Sequence, residues 1–452
     1  MLHISLHIIL VVHIYRFDDR ESEFAMHNSQ LDRCSQLFDD VRRLLNARWL
    51  AGLGIPRKEF LLVFTLLFNA FTWYYMTLFI LERMPSHIDA LRAVFYIATI
   101  GASLAGAVLS EKVRQLRLLY LWMIIGAIAS LQLSLTNVAT VAHISFMFIL
   151  VGISFGIGMP SCLAYLANST SIENRGKTSA LIFLFVNLGA LPLALALSSF
   201  SLQVNSLVLA FWRALGLAAF ALLRPSSSVS TPRKHVSTAS VFHDRSFVLY
   251  LIPWLMFSII DSLETALLKD FFGPEYYGLT FTVKPVIASF SMLVGGLLAD
   301  KIGRKRVTMY GFVSLGLAYA IIGIAPMLQL AWNIYLVIDA IAAGILWITF
   351  IMILWGDLST QDSREKYYVV GSIPFLVTAA IPVSLVPLSS LLPANTAFSL
   401  ASFFLFLAVL PLMYAPETLP QKRIELQRLR NYVEHAKKLA GRHSGKREDG
   451  KE

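Results

Sequence analysis

Apolar residues in this chain run in long unbroken stretches rather than at the spacing of one buried helix face, and charges gather in the short segments between them. A bilayer core about 30 Å thick takes roughly 20 apolar residues as a helix. The pattern predicts twelve such stretches between residues 60 and 414, among them 247–268, 279–299, 332–355 and 368–390. They fall into two sets of six, separated by the Ser-, Thr- and Pro-rich segment from Arg224 to Arg245, which reads as a linker. The expected organisation is a segment over 1–58, a six-helix bundle over 59–223, a linker over 224–246, a second six-helix bundle over 247–415 and a charged tail over 416–452.

The first segment has its own pattern. Residues 1–15 are apolar but too short to span and lack a basic start or small-residue cleavage site, and an ordinary leader begins at Met26, so residues 1–25 read as an unstructured or extraneous start. Further on, Leu31, Cys34, Phe38, Val41 and Leu45 share one helical face with Arg33, Arg42 and Arg43 off it, the pattern of an amphipathic helix on a membrane surface.

Composition agrees with a bilayer-embedded chain: 56% of the 452 residues are hydrophobic, 15% are charged and the mean hydropathy is +0.65. Two cysteines, Cys34 and Cys162, rule out a disulfide scaffold. The net charge of +10 does not form a nucleic-acid patch, because the basic residues recur loop by loop. Alternate loops carry fifteen Lys and Arg, against four (Arg83, Arg92, Lys269 and Lys284) on the other side, which predicts that both termini are cytoplasmic. The sequence has no phosphate-cradling glycine loop, no clustered His/Cys metal pattern and no G-x-S-x-G nucleophile turn, so no metal, cofactor or ATP drive is expected.

An internal repeat ties the two sets of helices together. Gly296-Leu-Leu-Ala-Asp300-Lys-Ile-Gly303-Arg304-Lys-Arg306 follows the eighth stretch, and a degenerate copy, Ala107 to Arg117, follows the second, with Glu111 placed 189 residues before Asp300. Glu173-Asn-Arg175-Gly-Lys177 and Asp362-Ser-Arg364-Glu-Lys366 repeat at the same offset of 189. Two matches at one offset indicate a six-helix unit duplicated in the same orientation, which calls for a pseudo-twofold along the membrane normal.

The segment GLLADKIGRKR resembles the signature of the major facilitator superfamily in the loop between its eighth and ninth helices, and Arg175-Gly176-Lys177 resembles the R-G-R/K loop before its fifth. Pro416-Glu417-Thr418 resembles the P-E-T that follows the last helix in sugar-porter relatives. The resemblance covers about residues 59–420 and implies the all-α, twelve-helix fold of that superfamily. It also implies a cytoplasmic gate built from Glu111, Arg175, Gly296, Asp300, Gly303, Arg304 and Arg364. Asp300 would approach the start of the fifth helix near Arg175 to Thr178, and Glu111 the start of the eleventh near Arg364. Physically, Gly296 lets two helices approach, Gly303 permits a tight turn, and Asp300 supplies an anion for a helix N-terminus.

Ionisable residues inside spans are costly and are candidate functional groups. Asp261 and Glu264 lie three apart on one helical face, Asp339 lies in the tenth stretch and Arg213 in the sixth. In the superfamily the first, fourth, seventh and tenth helices line the central cavity. The resemblance therefore places Asp261, Glu264 and Asp339, with Asn69 and Trp73 from the polar-aromatic face Thr65, Asn69, Thr72, Trp73 and Met76, along a substrate and proton pathway. The competing reading is an ion-pair cluster of the three acids with Lys269 and Lys284 at the outer vestibule. Proton-coupled relatives often carry an arginine before the G-x-G of the fourth helix, and the matching position here is Gly152. The expected function is secondary active transport of a small solute by alternating access, coupled to protons through the acids, in a lipid bilayer, with no nucleic acid and with one chain sufficient. The rival is a membrane-embedded enzyme or a non-transporting receptor on the same scaffold.

Overall fold

The computed structural model describes residues 53–84, 87–138, 140–225, 236–381 and 393–420. The amphipathic helix around Cys34, the start at residues 1–25, the middle of the linker and the tail beyond 420 lie outside the described residues.

Among the described residues every regular element is helical. In chain order they are α1 Arg57–Glu82, α2 Ile88–Lys112, α3 Gln115–Leu135, α4 Val141–Ser169, α5 Arg175–Ser198, α6 Leu202–Leu222, α7 Arg245–Glu264, α8 Val283–Ile302, α9 Arg304–Ile324, α10 Gln329–Leu358, α11 Arg364–Ala380 and α12 Ala394–Tyr414. Eleven of these are long and apolar enough to cross a bilayer; α11 begins four residues before the expected stretch and its described part stops at Ala380. Large apolar side chains such as Ile97, Ile128, Leu195, Phe211, Leu317 and Phe403 are exposed on the outer faces, as lipid contact requires.

Helix starts follow local chemistry. Thr140 caps α4 through the His143 N–H at 3.4 Å, Ser201 caps α6 through Val204 at 3.4 Å, and Asp244 caps α7 through Ser246 at 2.9 Å. Where the pattern breaks between the seventh and eighth stretches, the backbone nonetheless stays helical over Arg245–Ile302. Lys284 Nζ lies 3.0 Å from Glu264 Oε2, whereas twenty residues of straight helix span about 30 Å. The run therefore folds back between these residues, and α7 and α8 are neighbours.

Two devices set the spacing of the helices. In the first half, a Cβ on Gly106, Gly152 or Gly156 would meet backbone oxygen of the facing helix at 2.1, 2.5 and 2.3 Å, so α2 and α4 pack backbone to backbone. An arginine at Gly152 has no room. In the second half, α10 turns π-helical over Ile348–Leu354, a rare winding that recurs at functional sites.

Candidate functional site

At the end carrying the basic loops, the two halves are joined by polar contacts. The Gly176 and Lys177 N–H groups at the start of α5 donate to Asp300 Oδ1 and Oδ2 at 3.1 and 2.7 Å, an anion at a helix N-terminus. A Cβ on Gly296 would sit 2.5 Å from the Gly176 carbonyl oxygen, so α8 approaches α5 only through that glycine. Gly303 takes φ +104°, open to glycine, which turns the chain so that Arg304 reaches back to Asp300 at 2.9 Å.

The centre of this network is a residue the sequence reading missed. Asp357, with its side chain fully buried, pairs with Arg175 of the other half and accepts from Arg304 Nε at 2.9 Å. Thr418 donates to it at 3.2 Å, and Glu417 accepts from the Arg304 N–H at 2.8 Å and the Lys305 N–H at 3.2 Å, capping α9. The Pro416-Glu417-Thr418 segment thus braces the same end.

Glu111 pairs with Lys366, in the first turn of α11 and two residues from Arg364. Arg364 itself donates to Asn168. The reason lies in the repeat. Shifting Gln115, Asn168, Arg175 and Lys177 by 189 gives Arg304, Asp357, Arg364 and Lys366. The pair Arg175 with Asp357 therefore has its image in Arg364 with Asn168, the pair Arg304 with Asp357 in Gln115 with Asn168 at 3.2 Å, and Asp300 with Lys177 in Glu111 with Lys366. Contacts that exchange partners in this way are what a twofold between the halves produces. Asp357 was legible from its offset to Asn168 and from its seven-residue spacing to Arg364, the same as from Asn168 to Arg175.

A cavity lies between the halves, with about 570 Å³ of empty space including its mouth. Its walls come from α1, α2 and α4 on one side and α10 and α11 on the other. Asn69 and Trp73 do not line it; on α1 that role falls to Phe71 and Tyr74. Asn69 instead receives a hydrogen bond from Arg213 Nη1 at 2.9 Å and donates to the Trp212 carbonyl at 2.7 Å, while Trp73 donates to Ser130 at 2.8 Å. Arg213, fully buried within the first half, lies with its guanidinium carbon 4.0 Å from the Trp122 ring centre and 5.1 Å from that of Trp73.

Asp261, Glu264 and Asp339 come together, but none of them lines that cavity. Lys284 Nζ lies 2.8 Å from Asp339, 3.0 Å from Glu264 and 3.6 Å from Asp261, and Tyr319 donates to Glu264 at 3.0 Å. Glu264 and Asp339 are 3% and 2% exposed at the side chain, Lys284 and Asp261 22% and 28%. Lys284, counted in the loop tally above, is thus a member of this site; the Lys269 side chain lies outside the described residues. One ammonium faces three carboxyl groups among the described side chains. The structural ion-pair reading and the proton reading share this geometry.

The chain matches the family profile of the Major Facilitator Superfamily over residues 60–354. No curated protein matches it by sequence. Among solved structures it is similar to the human organic anion transporter MFSD10 (TETRAN), at 16% identity and TM-score 0.62 over 79% of this chain and 99% of that one. It is also similar to the proton:xylose symporter XylE bound to 6-bromo-6-deoxy-D-glucose, at 14% identity and TM-score 0.61 over 80% and 96% of the two chains. A bacterial homologue of the iron transporter ferroportin in its outward-facing state aligns at 17% identity and TM-score 0.59 over 78% and 97%. At these identities the structural likenesses speak for the fold alone. With the profile spanning well over half of its length and the signature loop making the contacts described, the chain belongs to the major facilitator superfamily.

Proposed function

We propose that this protein is a secondary active transporter that carries a small solute by alternating access, one chain forming the pathway, with both termini in the cytoplasm and movement coupled to protons. The observation that carries the reading is the exchanged set of contacts around Asp357 and Asn168. At the end carrying the basic loops they join the two halves through ion pairs and hydrogen bonds, groups that can part, and a cavity lies between those same halves. A fixed enzyme or receptor scaffold has no use for a duplicated clasp. The family assignment likewise favours a carrier over a catalyst, and two structural neighbours are an organic anion transporter and a proton:xylose symporter.

Coupling rests on Asp261, Glu264, Lys284 and Asp339. Were this cluster part of the common scaffold, the first half would hold a copy, yet the positions 189 residues before Lys284 and Asp339 are Phe95 and Leu150. With Gly152 occupying the position where many proton-coupled relatives place an arginine, the acids of the second half take over that work. Gain of a proton by the cluster loosens Lys284 from α7 and α10, which frees α8 to move with its Asp300 clasp. The test is solute flux in proteoliposomes under an imposed pH gradient, wild type against Glu264→Gln. Accumulation driven by the gradient and lost in the variant is expected. Flux indifferent to the gradient removes the coupling, and no gated flux of any solute removes the carrier.

A further inference from the structure

We infer that the cavity between the halves takes small, uncharged aromatic compounds bearing one or two hydrogen-bond acceptors; the inference deepens the carrier reading above and rests on it. The walls supply the argument. Six aromatic rings border the space, from Phe71, Tyr74, Phe155, Trp347, Tyr368 and Phe375, and Met159 and Leu163 fill between them. Tyr74 stacks on Phe155 at 4.7 Å and Trp347 meets Phe375 edge-on at 4.8 Å, so rings from each half already pair and leave faces for a third. No charged residue is among the walls.

The polar groups on the walls are almost all engaged elsewhere. Thr99 donates to its own helix at Phe95 O, 2.8 Å; Ser372 donates to Tyr368 O, 2.6 Å; and Tyr368 donates to Met352 O, 3.0 Å. The Tyr74 hydroxyl is bonded to that of Tyr96 at 2.9 Å. Two donors, the Ser103 hydroxyl and the Trp347 indole N–H, have no hydrogen-bond partner among the described residues. The engaged hydroxyls keep lone pairs that can accept but offer no further donor, so a polyol finds few partners for its own acceptor oxygens, and an ion meets no countercharge. A flat neutral ring with an oxygen acceptor pairs with the two open donors and covers the aromatic faces.

A matched series separates the classes: 2-naphthol, 2-naphthoate and a naphthylmethyl-trimethylammonium ion share one ring system and differ in charge, and D-xylose supplies the hydroxyl-rich comparison. Binding to the full chain purified in detergent is measured by equilibrium competition against tritiated 2-naphthol. Saturable binding of the naphthol, at least tenfold weaker for the other three, is expected. Ser103→Ala should weaken the naphthol several-fold and leave naphthalene itself unchanged, and Met159→Trp, which fills the space, should abolish both. If Met159→Trp fails to fold, the Ser103→Ala contrast carries the test alone. Tighter binding of xylose, the anion or the cation overturns the inference, as does equal loss of naphthol and naphthalene affinity in Ser103→Ala. The same ligands added to proteoliposomes loaded with a pH-sensitive dye separate this inference from the reading it rests on: naphthol that binds but moves no protons supports the class and sinks the coupling, whereas xylose-driven proton movement keeps the carrier and overturns the class.

Discussion

Asp357→Asn tests the clasp where it is most concentrated. The side chains of Asp357, Arg175 and Arg304 are 0%, 1% and 0% exposed, so solvent screens nothing. Replacing the carboxylate leaves the buried Arg175 guanidinium with only the Ala167 carbonyl and the Thr170 hydroxyl as acceptors, while Arg304 keeps Asp300 and the carbonyls of Ala299 and Ile172. Removing one member of a buried ion pair costs about 3–5 kcal/mol, most of it the penalty of the orphaned charge. Only the closed clasp bears that penalty, because in the parted state water reaches both arginines. The equilibrium should move toward opening by a factor between about a hundred and a few thousand. Hydrogen exchange reads this directly, since the Gly176 and Lys177 amides are held by Asp300 only while the halves are joined. Peptides covering residues 172–180 should exchange at least a hundredfold faster in Asp357→Asn. The outer half of α5 should stay unchanged, and Asp362→Asn, outside the network, should leave the rate near wild type. An acceleration under fivefold in Asp357→Asn would refute the argument.

Other substitutions follow from the same geometry. Asn168→Asp supplies Arg364 with the carboxylate that its image already has, and should slow exchange at the start of α11 several-fold, a gain of up to about 1 kcal/mol at this partly exposed site. Gly296→Ala drives a methyl to 2.5 Å from the Gly176 carbonyl, a backbone atom with nowhere to go. It should cost about 1–3 kcal/mol in thermal unfolding and release the Asp300 contacts. At Arg213, lysine should be worse than methionine: a compact, strongly hydrated ammonium cannot lie between the Trp73 and Trp122 rings, whereas methionine removes the buried charge without orphaning an acid among the described residues. A lower melting temperature for Arg213→Met than for Arg213→Lys would contradict this.

How much of this was legible depended on how local the signal was. The clasp was readable because its glycines, acid and arginine lie within eleven consecutive residues and recur at one offset. Asp357 carries no such neighbourhood and becomes visible only when the repeat is extended one step, from Asn168. Asp261 and Glu264 announce themselves by sharing a helical turn, and Asp339 and Lys284 were placed with them by their common level in the spans, but Tyr319 comes from another helix and no spacing encodes its contact. The error on α1 has a definite cause. At about 100° per residue, Asn69 and Trp73 lie on one side of α1 and Phe71 and Tyr74 roughly 150° away, so the polar-aromatic face read as the cavity wall is instead taken up by Ser130 of α3 and Trp212 and Arg213 of α6. Arg213 looked anomalous because Asn69, Trp73 and Trp122 are 144, 140 and 91 positions distant in the sequence.

Comparing each half with its image divides the labour between them. Residues that recur, the clasp positions and the helix starts, are what two joined six-helix units require. Residues that do not recur mark what one unit adds. The second half carries the charged version of the clasp, Arg304 with Asp357, where the first has Gln115 with Asn168. Among the described residues it alone holds the acid and lysine cluster and the π-helical turn, which runs from beside Trp347 at the cavity to just short of Asp357 at the clasp. The first half answers with backbone-to-backbone packing of α2 on α4 and an aromatic wall. The proposed proton coupling through the second half predicts an asymmetric response to pH. Between pH 8 and pH 5, after correction for intrinsic rates, exchange at the inner ends of α8 and α10 should accelerate as the cluster takes up protons, while α2 and α4 hold their protection. In Glu264→Gln, already neutral at one carboxyl, the acceleration should shrink; equal acceleration in both halves, undiminished in that variant, would mean that the cluster merely braces the outer vestibule.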